Sequence, residues 1–302
     1  MTAGSAVRVT TAAKINLHLR VGPLAPNGFH PLMSWMCTAG LFDSFELQAT
    51  TSGGVKMLCQ RVDVPTDSSN LIWRAVEAMA SAAGREPNIA VSLEKHIPMG
   101  GGLGGGSGNA AGTLVGLNRL WNLNWPTGTL SEIGAKLGSD VVFFLYGASN
   151  ICTGRGECVV PIPRPTAGLA VLAFPKISIS TPAVYKKFDQ MHLGTEQQIA
   201  EQPDWESWTQ MSAVELLKNL VNDLEPSAFA LHRELEELLV AMAQLLGRTV
   251  RMSGSGSTLF TLFDEPERSE AVAAAAKTTE VLGLRTGVFE LAPIAIAVTE
   301  IP

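Results

Sequence analysis

Between Val7 and Val21 apolar and polar positions alternate: Ile15, Leu17, Leu19 and Val21 are separated by Asn16, His18 and Arg20, with Lys14 leading the run. Period two predicts a strand with one apolar and one polar face, and on that pattern alone Lys14 is a solvated charge. Ile89 to Leu93 and Leu41 to Leu47 read as further strands, and Leu169 to Phe174 is apolar throughout, as a buried strand requires. Helical spacing appears in Ile72, Ala75, Val76, Met79 and Ala83, opened by Asp67-Ser68-Ser69-Asn70 and stopped by Gly84. Ala110, Leu114, Leu117 and Trp121 form a second helical face, with Ser107 or Asn109 as its cap. Thr129 to Glu132 reads as a capping box for a short helix ending at Gly138. Leu231, Leu235, Leu238, Met242 and Leu245 make a core stripe ending at Gly247, Glu265 to Leu282 reads as a helix, and Ala292 to Val298 as a final strand. Asp189 to Gln210 is polar with scattered tryptophans and carries no readable period.

The prolines from Pro161 to Pro165 mark a boundary, dividing the chain into residues 1–165 and 166–302. A length of 302 residues suits two lobes, and 46% hydrophobic with 17% charged residues is ordinary for a soluble globular protein. The net charge of −6 argues against nonspecific nucleic-acid binding, which needs a basic surface. No apolar run reaches the ~18 residues of a membrane span, and Met1 to Ala6 show no signal-peptide hydrophobic region. Cys37, Cys59, Cys152 and Cys158 form no Cys-x-x-Cys pair and the histidines no metal-ligand spacing. Neither a structural metal nor a disulfide framework is expected, and the reducing cytoplasm is the default location.

One stretch carries the chemistry: Pro98-Met99-Gly100-Gly101-Gly102-Leu103-Gly104-Gly105-Gly106-Ser107-Gly108. Glycines let a ligand approach the backbone, and the helix that follows presents N–H groups and a positive dipole end to an anion. A flexible linker would be polar on both sides; here a strand and an apolar helix flank the loop. A dinucleotide fold would want an acidic residue about 20 positions further on, yet none occurs before Glu132. A Walker loop needs Gly-Lys, which the chain lacks. Nucleotide phosphate in a third kind of loop is the remaining reading.

That loop resembles the second motif of the GHMP kinases, the superfamily of galactokinase, homoserine kinase and mevalonate kinase. Its long glycine run, ending in Ser107-Gly108-Asn109-Ala110-Ala111, is most similar to the branch whose acceptor is a cytidine-diphosphate-linked polyol. Ala12-Ala13-Lys14-Ile15-Asn16-Leu17 resembles the first motif, Pro-Ala-Lys-Ile-Asn-Leu, and Arg251 to Ser257 the third glycine loop. Gly138-Ser139-Asp140-Val141-Val142-Phe143-Phe144 is similar to Gly-Ala-Asp-Val-Pro-Phe-Phe; from the pattern alone, Asp140 is a helix cap. The resemblance implies an α+β, two-lobed GHMP kinase fold, with a ribosomal-protein-like β-α-β ATP-binding domain, a ferredoxin-like C-terminal domain, and the active site in the cleft between them. It implies Lys14 and Asp140 as catalytic, and Pro98 through Gly108 with Asn70 as the ATP site, Asn70 also reading as a cap. Asn16, Phe29, His30, Tyr185, Gly254 and Ser255 become the acceptor site, with Phe29 and Tyr185 sandwiching a cytosine that His30 hydrogen-bonds. It implies ATP as co-substrate with Mg²⁺, for which Ser107 is a candidate ligand, and phosphorylation of the 2-hydroxyl of a cytidine-diphosphate-linked methylerythritol in the non-mevalonate isoprenoid pathway. A monomer or homodimer in the cytoplasm is expected. Departures from the branch pattern are Ala12 for Pro, Phe29 for Tyr, Gly108 for Ser, Ser139 for Ala, Val142 for Pro and Asn150 for Ala. A GHMP kinase for another small alcohol and a nucleotide-binding homologue without catalysis stay open as alternatives.

Overall fold

The computed structural model describes residues 4–301; residues 1–3, part of the N-terminal stretch read above for a leader, lie outside it, as does residue 302. The chain opens with β1 (Ala6–Val21), β2 (Leu32–Ala49) and β3 (Val55–Cys59), then α1 (Leu71–Ala83), β4 (Ile89–Glu94) and α2 (Gly105–Leu120). There follow α3 (Thr127–Leu137), α4 (Ser139–Tyr146), β5 (Ser149–Gly154) and β6 (Cys158–Pro161). The second half holds β7 (Leu169–Phe174), α5 (Thr181–Gln190), α6 (Glu196–Ala200), α7 (Trp205–Gln210), α8 (Ala213–Asn219), α9 (Glu225–Leu231) and α10 (Arg233–Leu246). It closes with β8 (Arg251–Met252), β9 (Leu259–Phe263), α11 (Arg268–Leu282), β10 (Arg285–Glu290) and β11 (Ile296–Ile301).

Among the described residues the strands form two sheets. The first runs β11-β1-β2-β4-β3, with β5 on β2 and β6 on β5. β2 changes partner along its length, pairing β5 from Leu32 to Cys37 and β4 from Ser44 to Ala49. The second sheet runs β10-β7-β9-β8 and is antiparallel. Counting the helices between, it has the split β-α-β-β-α-β order of a ferredoxin-like unit, so the α+β, two-lobed expectation holds. The final strand differs from its sequence reading: it starts at Ile296 and pairs with β1 from Ala6↔Ile301 to Thr11↔Ile296, returning to the first sheet. β10 escaped the sequence reading because it is a half-exposed edge strand with few apolar residues.

β1 threads three apolar layers. Val9 packs with Phe45, Ile72, Leu114 and Leu117 between the first sheet and its helices. Ile15 and Leu17 pack with Trp35, Leu172, Phe260 and Leu262 between the two sheets. Leu19 and Val21 join Leu169, Phe188 and Met242 under the second sheet. Both faces of the strand are therefore covered, and Lys14, Asn16 and His18 are all buried. This corrects the solvated-charge reading of Lys14: period two recorded which face was polar, but the glycine-rich loops packed over it decided that it would be dry.

Helix starts follow the pattern in part. Asn70 caps α1, its Oδ1 accepting from the Ile72 amide at 2.9 Å. α2 begins inside the glycine run at Gly105 with no side-chain cap, so Ser107 and Asn109 lie in its first turns instead of capping it; buried Asn109 accepts from the Thr11 hydroxyl at 2.8 Å. α3 begins at Thr127 after Pro126, which places Thr129 and Glu132 within the helix. Leu231 ends α9 and is exposed, outside the α10 stripe. The unreadable segment becomes α6 and α7, whose Trp205 and Trp208 stand edge-on to His18 at 5.8 and 5.2 Å between ring centroids.

Candidate active site

Two β-bulges, at Ala12/Ala13 and between Asn16 and His18, bracket Lys14 and Asn16 on β1. A bulge re-aims side chains, and these two residues point together into the cleft. Lys14 Nζ donates to Asn16 Oδ1 at 2.6 Å and lies 3.5 Å from Asp140 Oδ2. Asn16 Nδ2 in turn donates to Ser34 Oγ at 2.9 Å. Asp140 sits in the first turn of α4 and makes no cap bond, Gly138 holding the cap position. Its carboxylate is about one-third exposed, against 5% for the Lys14 side chain, so the pair presents an acceptor oxygen to the cleft over a buried cation.

The glycine loop is fastened to this pair by backbone. The Lys14 amide donates to the Leu103 carbonyl at 2.9 Å. Gly104, at φ +65°, caps α2; a Cβ there would meet Lys14 Cγ at 2.8 Å. Gly102, at φ +74°, lies so close to the third glycine loop that a Cβ would stand 2.3 Å from the Ser253 carbonyl oxygen. Ser253 Oγ accepts from the Asn16 amide at 3.2 Å and donates to the Gly102 carbonyl at 3.1 Å. Asn222 Nδ2 holds the other side of that loop, donating to the Met252 and Gly254 carbonyls, each at 2.8 Å. The three motifs, distant in sequence, thus share one hydrogen-bond network.

Beneath the loop lies a pair that sequence reasoning missed. Lys95 Nζ donates to Asp43 Oδ2, and Asp43 Oδ1 accepts from the His96 and Ile97 amides at 2.8 and 2.9 Å. Both side chains are buried, and burial lowers the Lys95 pKa while Asp43 opposes the shift. A Cβ on Gly105 would come within 2.7 Å of Lys95 Nζ, so the ammonium supports the first turn of α2. The available signal was a lysine three residues before Pro98, unpromising without its partner 52 positions upstream.

A cavity of about 470 Å³ gathers Lys14, Asn16, Asn70, Asp140, Tyr185, Gly254, Ser255 and the loop from Pro98 to Ser107. That volume suits a small-molecule site. Uncapped N–H groups at the start of α2 face it, the arrangement that binds phosphate. Tyr185 is partly buried, and its desolvation pushes the hydroxyl up to about 12, keeping it a neutral phenol near pH 7. Ser255 Oγ and Thr181 Oγ1 are hydrogen-bonded at 2.7 Å. Gly108 is off the cavity wall; a Cβ there would meet the Ala12 carbonyl at 3.2 Å and Phe144 at 3.3 Å, so it serves packing. Phe29 and His30 also lie off the wall. His30 is held by Asp189 at 3.3 Å and donates from Nδ1 to the Gly22 carbonyl at 2.9 Å, with its ring 5.1 Å from that of Tyr185. Phe29 is half-exposed, with the Arg155 guanidinium 4.8 Å from its ring centre.

Two of the departures meet. Gly108 and Ala12 touch each other across the α2–β1 contact, as above. Asn150 donates to the Gly147 carbonyl at 3.2 Å, serving the C-terminal end of the helix that carries Asp140.

Comparison with known proteins agrees with this geometry. The family described as GHMP kinases N terminal domain matches residues 70–148, and GHMP kinases C terminal matches residues 209–280. A 4-diphosphocytidyl-2-C-methyl-D-erythritol kinase of Rhodococcus jostii (strain RHA1) is 38% identical, over 89% of this chain and 87% of its own length. The enzyme of that name from Geobacillus thermodenitrificans (strain NG80-2) is 35% identical over 87% of this chain and 90% of its own. A crystal structure of 4-(cytidine 5'-diphospho)-2C-methyl-D-erythritol kinase superposes with a TM-score of 0.76 at 31% identity, covering 95% of this chain and 99% of that one. Homoserine kinase from Cytophaga hutchinsonii, at TM-score 0.74 and 16% identity over 99% of this chain and 98% of that one, shares the fold. Bulged strand, glycine loop and acid-bearing helix, seen here in one cleft, are thus carried by a chain that belongs to the GHMP kinases, in the family of the 4-diphosphocytidyl-2-C-methyl-D-erythritol kinases.

Proposed function

We propose that the cleft transfers the γ-phosphoryl group of ATP to the 2-hydroxyl of 4-diphosphocytidyl-2-C-methyl-D-erythritol, with Lys14 and Asp140 as the catalytic pair. The observation that carries this is the 3.5 Å approach of Lys14 to Asp140 beside the glycine loop in one cavity. Phosphoryl transfer is achieved by positioning and by stabilising charge. The N–H groups from Gly100 to Ser107 hold the phosphates of ATP, and Asn70, Pro98 and Met99 line the nucleotide end. Asp140 orients the acceptor hydroxyl and takes its proton as the new O–P bond forms and the bond to the ADP oxygen breaks. Lys14 stabilises negative charge on the transferring group. Asn16, Gly254 and Ser255 border the acceptor's polyol, while His30, Tyr185 and Phe29 receive its base.

Mg²⁺ accompanies ATP and neutralises phosphate charge when bound. On the cavity wall Asp140 is the one carboxylate among the described residues and Ser107 a nearby hydroxyl; that sparse oxygen set suits a cation that keeps most of its water. The cytoplasm is the compartment we assign, in keeping with four free cysteines. No helix among the described residues is long and apolar enough to cross a membrane.

The test is ADP release with Mg-ATP and the cytidyl acceptor, wild type beside Asp140→Asn. Loss of a general base removes ~10²–10⁴-fold of rate, with ATP binding kept. An Asp140→Asn enzyme within a few-fold of wild type refutes the assignment. Turnover by the wild type that CDP does not inhibit points to another alcohol.

A further inference from the structure

On the reading above, the acceptor's base lies at His30 and Tyr185 and its reacting hydroxyl at Lys14 and Asp140, so its diphosphate must lie between. Two lysines lie on the cavity wall, and each is committed: Lys14 to Asp140 and Lys95 to Asp43. Arg20, at the end of β1, is bound to Asp223 at 3.0 Å. The base end and the reacting end are therefore described, but the doubly charged link between them has no partner in that account.

The turn that carries Arg155 borders both ends. It is at the tip of the β5–β6 turn, and its Cζ lies 4.8 Å from the centre of the half-exposed Phe29 ring. The same turn abuts the start of α4, since a Cβ on Gly156 would lie 3.3 Å from Ser139 Cβ, next to Asp140. The Arg155–Gly156 turn thus spans from the aromatic at the base end to the residue beside the proposed general base. Glu157 sets its posture, accepting from the Arg155 amide at 2.6 Å and from Nε at 3.4 Å. That Nε contact is its sole ion pair among the described residues, and the side chain is 42% exposed. A guanidinium stacked on a ring keeps its in-plane N–H groups available, and their fork matches phosphate oxygens.

We propose that Arg155 recognises the acceptor's diphosphate, a specificity-determining contact for which Phe29 serves as the stacking support. The proposal explains why phenylalanine suffices at position 29: the arginine uses the ring face and has no need of a hydroxyl.

Calorimetric titration of CDP and of cytidine into wild type, Arg155→Met and Arg155→Lys tests it, with the melting temperature of each variant as the check on folding. A charge-assisted contact to phosphate is worth ~10- to 100-fold in affinity. Arg155→Met is expected to weaken CDP by that factor and to leave cytidine within about twofold, with Arg155→Lys intermediate because it keeps charge but not the fork. Equal weakening of both ligands, or undiminished CDP binding by Arg155→Met, overturns the proposal. Wild type binding CDP and cytidine equally well overturns it too, yet leaves the base site standing. A wild type that binds neither refutes the cytidine reading itself, and Arg155 falls with it.

Discussion

Replacing Gly102 by alanine tests whether the two glycine loops form one unit. Gly102 has φ +74°, and alanine in that region costs ~1–2 kcal/mol. Its Cβ would also stand 2.3 Å from the Ser253 carbonyl oxygen and 3.0 Å from that of Gly256. Both obstacles are backbone and cannot rotate aside, so the loops must part. Parting sacrifices the Ser253 Oγ bond to the Gly102 carbonyl at 3.1 Å and the Thr258 amide bond to the Gly101 carbonyl at 3.3 Å. At ~0.5–1.5 kcal/mol each, the total reaches ~2–5 kcal/mol. Gly100→Ala is the control: φ there is +70°, yet the nearest atom to its Cβ is Ser178 Oγ at 3.9 Å. It carries the backbone strain without the collision. Urea unfolding of both variants reads the difference, expected at ~1–3 kcal/mol against Gly102→Ala. The KM for ATP and kcat of Gly102→Ala should also suffer more, because the loop and Lys14 move together. Equal destabilisation of the two variants would refute the claim that contact between loops shapes the site.

Asp43→Asn leaves Lys95 buried without its counter-ion, and should cost ~3–5 kcal/mol in denaturant unfolding; a cost below ~1 kcal/mol would show that the pair does not support the loop, and adding Lys95→Met should restore part of the loss. Burial holds His18 neutral, lowering its pKa to about 3, while the unfolded chain protonates near 6.5. Its contribution to stability is therefore complete above pH 6.5 and is lost as pH falls toward 3, at up to ~1.4 kcal/mol per pH unit. His18→Asn keeps an acceptor for the Val221 amide, now 3.3 Å from Nδ1, and should flatten the unfolding free energy between pH 7 and pH 5; an unchanged slope would contradict the burial argument.

The local order of the chain was written in its pattern. Period two gave β1, helical spacing with Asn70 and Gly84 gave both ends of α1, and the glycine run announced the start of α2. These features depend on neighbours within a turn or a pleat, and so are visible in sequence. Resemblance to the GHMP kinases then named Lys14 and Asp140 as partners, which no spacing could have done, since they stand 126 positions apart. Only the tertiary structure decided that the polar face of β1 is dry, because the two glycine loops close over Lys14 and Asn16 while Trp205 and Trp208 cover His18. It also decided that β11 returns to the first sheet, that Asp43 and Lys95 meet under the loop, and that Arg155 rests on Phe29. Each of these is a contact between distant segments, whose cost in desolvation or chain closure is met by packing that the local pattern does not encode.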